Sequence, residues 1–253
     1  MIRSLLRLPA LSLEILRFAS EVLHSLFTGP RYLAETVRLA DVLMRRCVIP
    51  VGLAVAPVGA VISLQGVSVF KMFGAESVLS SMLAPAIFRQ YSPALASVMV
   101  AAQAGSSIAA RIGTMKVRGQ IDALAVMSVD PIRYVVVPGF LACLFIAPLL
   151  NILATALGLA SGWFFAVPIS GINSGAFAAN LYTQVTMFDV WVGLGKCTLF
   201  GGAVGLIAGF TGLRTTGGAA GVGRAANSTV VYTIILILVV DYLVSLLLLK
   251  LGL

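Results

Sequence analysis

The stretch Arg111–Arg133, RIGTMKVRGQIDALAVMSVDPIR, decides how the rest of the chain is read, because it is the least apolar interior segment and is flanked by long hydrophobic runs. From Met115 to Met127 the apolar residues Met115, Ile121, Leu124, Ala125 and Met127 recur at roughly helical spacing, while Lys116, Arg118, Gln120 and Asp122 supply a polar side. The pattern predicts a short amphipathic helix held outside a bilayer. Asp130-Pro131 closes it with a turn, since proline disfavours helix in the residue before it. Four Lys/Arg against two Asp place this connection in the cytoplasm, where short loops carry the basic excess.

Composition agrees: of 253 residues 60% are hydrophobic and 10% charged, mean hydropathy is +1.06, and several apolar runs are long enough to cross a membrane. These are the marks of a polytopic membrane protein. The net charge of +8 does not indicate nucleic acid, because seven of the seventeen basic residues precede Val48 and the rest are thinly spread. It reads as topology and contact with anionic lipid. No polar block approaches domain size, so a soluble catalytic domain is excluded and any energy input comes from another chain. Cys47, Cys143 and Cys197 lie in or beside hydrophobic segments without metal-ligand spacing and are expected to be buried thiols. His24 has no acidic or cysteine neighbour at ligand spacing, and no chemistry is assigned to it.

In chain order, residues 1–46 form two amphipathic pieces on the membrane surface, broken at Gly29-Pro30, and residues 47–253 form the membrane domain. The first span is expected from Cys47 to Phe70, with Pro50 and Pro57 inside it. The second runs to about Ala110 and holds Arg89, Gln90 and Gln103 among apolar residues; an arginine at membrane depth marks a functional site unless it snorkels. The third is Tyr134–Pro168, followed by a polar link, 169–188. The fourth is Asp189–Leu213, whose Gly201, Gly205 and Gly209 suit close helix contact, within the chain or between subunits. Lys196 is expected to snorkel. A glycine-rich loop, 214–228, precedes a fifth span, Thr229–Leu249, in which Asp241 needs a partner. Thirteen basic residues fall on one proposed side against Lys71 and Lys250 on the other, which predicts a cytoplasmic N-terminus and an external C-terminus.

These residues carry a resemblance. Leu64-Gln65-Gly66, Ala104-Gly105-Ser106, Ile112-Gly113-Thr114-Met115-Lys116, Gln120-Ile121-Asp122-Ala123-Leu124, Val129-Asp130-Pro131-Ile132-Arg133 and Gly221-Val222-Gly223-Arg224-Ala225 resemble the MlaE/YrbE permeases, the membrane subunits of bacterial ATP-binding-cassette lipid transporters that work with MCE proteins. The resemblance implies an all-α fold with an interfacial helix, five spans and a coupling helix between spans 2 and 3. It also implies a location in the bacterial inner membrane and a permease dimer enclosing a lipid pocket. By the same token Gly113, Met115, Lys116, Arg118, Gln120, Asp122, Leu124 and Asp130 belong to the segment that docks on a cytoplasmic ATPase dimer. Phe73 and Arg89 fall where the family has pocket residues, with Gln90 and Gln103 beside them as lipid-binding candidates. No cofactor is expected in this chain; ATP and magnesium would sit on the partner ATPase.

The chain departs from the family pattern in ways that bear on charge. The family usually has Arg-Glu-Leu-Gly-Pro where this chain has Arg89-Gln90-Tyr91-Ser92-Pro93, and Gly-Arg at Ala102-Gln103. A usual Glu is replaced by Arg111, and another by Gly119. Missing charges suggest that a related, non-identical permease supplies them; otherwise the second subunit is a copy of this chain. The reading is therefore a permease subunit without a catalytic site of its own. A lipid-modifying membrane enzyme is disfavoured by the shortage of membrane-depth carboxylates, and a channel by the absence of a charge ring or filter.

Overall fold

The computed structural model describes residues 8–27, 32–74 and 78–251. The break assigned to Gly29-Pro30 lies outside the described residues. Among those described every regular element is helical: α1 (Leu8–Phe27), α2 (Leu33–Lys71), α3 (Leu79–Val117), α4 (Gln120–Val126), α5 (Ile132–Ile169), α6 (Ser174–Gln184), α7 (Met187–Leu213) and α8 (Gly218–Lys250). Five of them, α2, α3, α5, α7 and α8, are long and apolar enough to span a membrane. This is the number the hydropathy pattern predicts.

Several boundaries move. The surface piece expected to end at Arg46 is continuous with the first span, in one 39-residue helix that runs through Pro50 and Pro57 without a break. Leu43, Cys47, Val51, Val55, Gly59, Ser63 and Val67 recur every fourth residue and are all buried, so one packed stripe carries the helix past both prolines. The link 169–188 contains α6. Asn173 caps it by accepting from the Gly175 and Ala176 amides at 2.9 and 3.2 Å, and Phe177 plugs it into a core of Val67, Leu79, Leu83 and Ile87. The expected glycine loop shrinks to a turn, with Gly217 and Gly218 at φ +84° and +67°, and α8 starts at Gly218 rather than Thr229. Composition pointed to a loop here, but Gly221 abuts the Thr216 carbonyl, where a side chain has no room.

The packing resolves into two units, to which each long helix contributes a segment. One comprises Met1–Leu43, Ala101–Phe145 and Gly201–Leu236; the other comprises Met44–Val100, Ile146–Phe200 and Ile237–Leu253. In the first, Gly205 rests on the Phe140 backbone, where an added Cβ would lie 2.6 Å from its Cα, and Gly209 faces Val136. The small-residue stripe of α7 is thus used within the chain, against α5. In the second, Ser63 Oγ donates to the Gly162 carbonyl at 2.9 Å and Gly59 abuts Gly158, drawing α2 onto α5. The most apolar stretch of α5 is 61% buried and that of α8 only 17%, so α8 offers its leucines outward.

Candidate functional site

Proline chemistry builds the first site. Pro93 has no N–H, so the Arg89 carbonyl, four residues earlier, has no helical donor. The helix widens there into a π turn, Ile87–Tyr91, which projects Arg89 and Gln90 sideways. The freed carbonyl accepts from Lys196 Nζ at 3.0 Å. Lys196 spends its remaining donors on Asp241 Oδ1 at 2.9 Å and Ser245 Oγ at 2.8 Å. Gln90 completes the ring: its amide N–H donates to Asp241 Oδ2, and its carbonyl accepts from Ser245 at 3.1 Å. Lys196 and Asp241 keep only 2% and 4% of their side-chain surface, so Lys196 does not snorkel; it is a buried ion-pair member.

Arg89 forms a second pair through Nε with Asp189, whose side chain is 1% exposed. Asp189 is fixed independently of the arginine. It occupies the third position of α7 and accepts from the Thr186 backbone N–H at 2.8 Å and its hydroxyl at 2.9 Å, which forms the carboxylate half of a capping box. Arg89 itself is 40% exposed, and among the described residues its terminal nitrogens have no partner. Two cations and two carboxylates balance. A carboxylate at position 90, as the family pattern has, would add an uncompensated charge, so Gln90 is the residue that keeps this cluster neutral.

Of the other pocket candidates, Phe73 lies exposed in the turn after α2. Gln103 is exposed in a second π turn, Ala101–Gly105, in the other unit. Sequence reasoning passed over Ser92, Asn151 and Thr155. Ser92 Oγ bonds Asn151 Oδ1 at 2.8 Å and Thr155 Oγ1 at 2.7 Å beside a cavity of about 290 Å³. Three small polar residues on two spans give no spacing signal that would have found them.

The second site is the loop. The helix expected over Met115–Met127 is interrupted: α3 ends at Val117, and Gly119 turns the chain in the left-handed region at φ +71°. Lys116 Nζ reaches across the break to Asp122 Oδ1 at 2.7 Å. The short α4 ends in a Schellman pair, with Val129 N–H donating to Leu124 O and Ser128 N–H to Ala125 O, both at 3.0 Å, and Ser128 at φ +59°. Asp130 then caps α5 by accepting from the Ile132 amide at 2.9 Å, with Pro131 in the first helical position. The loop is therefore rigidly framed by its own turn chemistry.

Within it Ile121 is the one buried side chain of α4, while Val126 and Met127 are 87% and 71% exposed. Arg118, Gln120 and Asp122 are also exposed, and Met115, Lys116 and Leu124 are half-buried. Gly113 is buried, and a Cβ there would sit 2.7 Å from Thr215 Oγ1. Its role is close packing rather than display. Arg111 pairs with Glu35 at 2.8 Å, so the positive charge that seemed to call for a second kind of subunit is answered within the chain.

Comparison with known proteins bears on both sites. The sequence profile of the permease MlaE family matches residues 36–247. A probable ABC transporter permease protein of Rickettsia typhi is 38% identical over 192 residues, which cover 76% of this chain and 74% of that one. The intermembrane phospholipid transport system permease protein MlaE of Haemophilus influenzae is 33% identical over 189 residues, or 74% of this chain and 72% of the relative. The chloroplast protein TRIGALACTOSYLDIACYLGLYCEROL 1 of Arabidopsis thaliana is 32% identical over 188 residues, or 74% of this chain and 54% of that one. With the family profile reaching from the start of α2 nearly to the end of α8, and both the Pro93-centred charge cluster and the Asp130-capped loop inside the matched region, this chain belongs to the MlaE permease family.

Proposed function

We propose that this chain is the permease subunit of an ATP-driven phospholipid transporter in a bacterial inner membrane, coupled through α4 to a separate ATPase dimer and working with MCE-domain proteins. The observation that carries the coupling role is the exposure of Val126 and Met127 on a short helix anchored by one side chain. Apolar side chains so exposed beside Arg118, Gln120 and Asp122 suit the groove of another protein. Met115, Lys116 and Leu124 back this face, while Gly113 and Asp130 fix the two ends of its frame. The basic excess around this loop supports a cytoplasmic placement, with the N-terminus on the same side and the C-terminus outside. ATP and magnesium belong to the partner; this chain converts the partner's movement into rearrangement of its spans.

Lipid recognition is assigned to Arg89, whose free terminal nitrogens suit a phosphate, with Gln90 beside it; Phe73 and Gln103, each in an exposed turn of its own, are further lipid-binding candidates. A second permease completes the transporter. Because Arg111, Lys196 and Asp241 are paired within the chain, a copy of the same chain suffices. The coupling reading is tested by Val126→Asp with Met127→Asp, which should abolish co-purification of the ATPase while leaving the permease in the membrane. Reversing Lys116 or Asp122 alone should weaken the association, and exchanging the two should restore it. Undiminished ATPase recovery from the Val126/Met127 variant would refute the docking face.

A further inference from the structure

We infer that the first turn of α5 holds an anionic phospholipid at a site separate from the transport cluster, with its phosphate on Arg133 and an acyl chain along the helix below. Arg133 closes the Val-Asp-Pro-Ile-Arg motif, and neither the coupling face nor the charge cluster uses it. Its Nε is buried without a hydrogen-bond partner, and among the described residues no carboxylate pairs with its guanidinium. A buried donor on a permanent cation is costly to leave unmet.

The surroundings specify the rest of the ligand. A cavity of about 270 Å³ opens beside Arg133 and is walled by Leu26 of α1, Leu33 of α2, and Val137, Leu141 and Phe145 of α5. On α5 these residues follow Arg133 at intervals of about four, so one face leads from the cation through apolar side chains for about 18 Å. Ser25, Tyr32 and Thr36 also line the cavity, but most of its wall is apolar and suits an acyl chain better than water. A free phosphate would satisfy the guanidinium and leave the slot empty; a lipid with an anionic head and an acyl chain fills both. Leu33 and Phe145 are 57% and 59% exposed at its rim, which leaves the slot open from outside.

The test counts lipids on the full-length protein after extraction from mixed phosphatidylglycerol and phosphatidylcholine vesicles, by native mass spectrometry. The wild type should retain phosphatidylglycerol preferentially. Arg133→Gln should lower that retention about ten-fold, the loss of one charge-assisted contact, whereas Lys250→Gln, which removes an exposed charge elsewhere, should not change it. Leu141→Trp, which fills the slot and keeps the guanidinium, should lose it as well, and it serves alone if Arg133→Gln fails to insert. Retention unchanged in either variant, or equal retention of phosphatidylcholine by the wild type, would overturn the assignment. So would displacement of the bound lipid by excess inorganic phosphate.

Discussion

The two units use charge in opposite ways. In the unit that holds the loop, Arg111–Glu35, Lys116–Asp122 and Arg214–Glu14 are all ion pairs between partly exposed side chains, at 2.8, 2.7 and 2.7 Å. In the other, Lys196–Asp241 and Arg89–Asp189 each bury at least one member almost completely. Similar chemistry has different consequences: an exposed pair contributes about 0–1 kcal/mol, while removing one partner of a buried pair costs about 3–5 kcal/mol. The first kind adjusts a surface. The second fixes how spans meet, and a ligand that competes for one of its members could shift that arrangement.

The largest effect should come from Asp241. Asp241→Leu leaves Lys196 charged, buried and short of its acceptor, and thermal unfolding of the purified chain in detergent should register a loss of about 3–5 kcal/mol. Pairing it with Lys196→Met should recover most of that loss, because replacing a buried pair with hydrocarbon is often neutral. If the double variant is as unstable as the single one, the cluster is not a self-contained ion pair and the contrast between the units fails.

How much of this was legible beforehand depends on the residue. The span count followed from hydropathy, because a bilayer requires about 20 apolar residues per crossing whatever the packing. Asp130-Pro131 announced the cap of α5 through turn chemistry that acts over two residues. The partners of Asp241 were hidden because Gln90 and Lys196 come from two distant stretches of chain. The partner of Arg111 was hidden in the same way, because Glu35 lies 76 residues away. The glycines of 217–223 suggested a loop, yet Gly218, Gly221 and Gly223 lie in α8, where Gly221 abuts the Thr216 carbonyl. Likewise Gly59 and Ser63 matter through Gly158 and Gly162, a crossing that no single helix displays.

A smaller effect on stability, with a separate functional readout, is expected at Arg89. Arg89→Ala removes the cation from Asp189, yet the capping box with Thr186 remains, so the cost should be about 1–3 kcal/mol, below that of Asp241→Leu. Bound phospholipid should fall at the same time, while assembly with the ATPase persists. Arg89→Lys should keep the charge but lose the planar fork, giving intermediate lipid recovery. Wild-type lipid content in Arg89→Ala would remove the arginine from the transport path and leave it only a structural role.

The smallest effect is expected at Glu35, and it sharpens the comparison from the exposed side. Glu35→Gln breaks the Arg111 pair, whose side chains are 38% and 42% exposed, and water can take over both partners. Stability should change by no more than about 0.5–1 kcal/mol, and less still at high salt. The same variant addresses pairing between permeases. If Arg111 is satisfied by Glu35 alone, a chain carrying two different affinity tags should recover its own copy both as the wild type and after Glu35→Gln. If instead the wild type recovers a distinct permease and not itself, Arg111 has a use beyond Glu35, and the balance of charge within the chain does not decide what it pairs with.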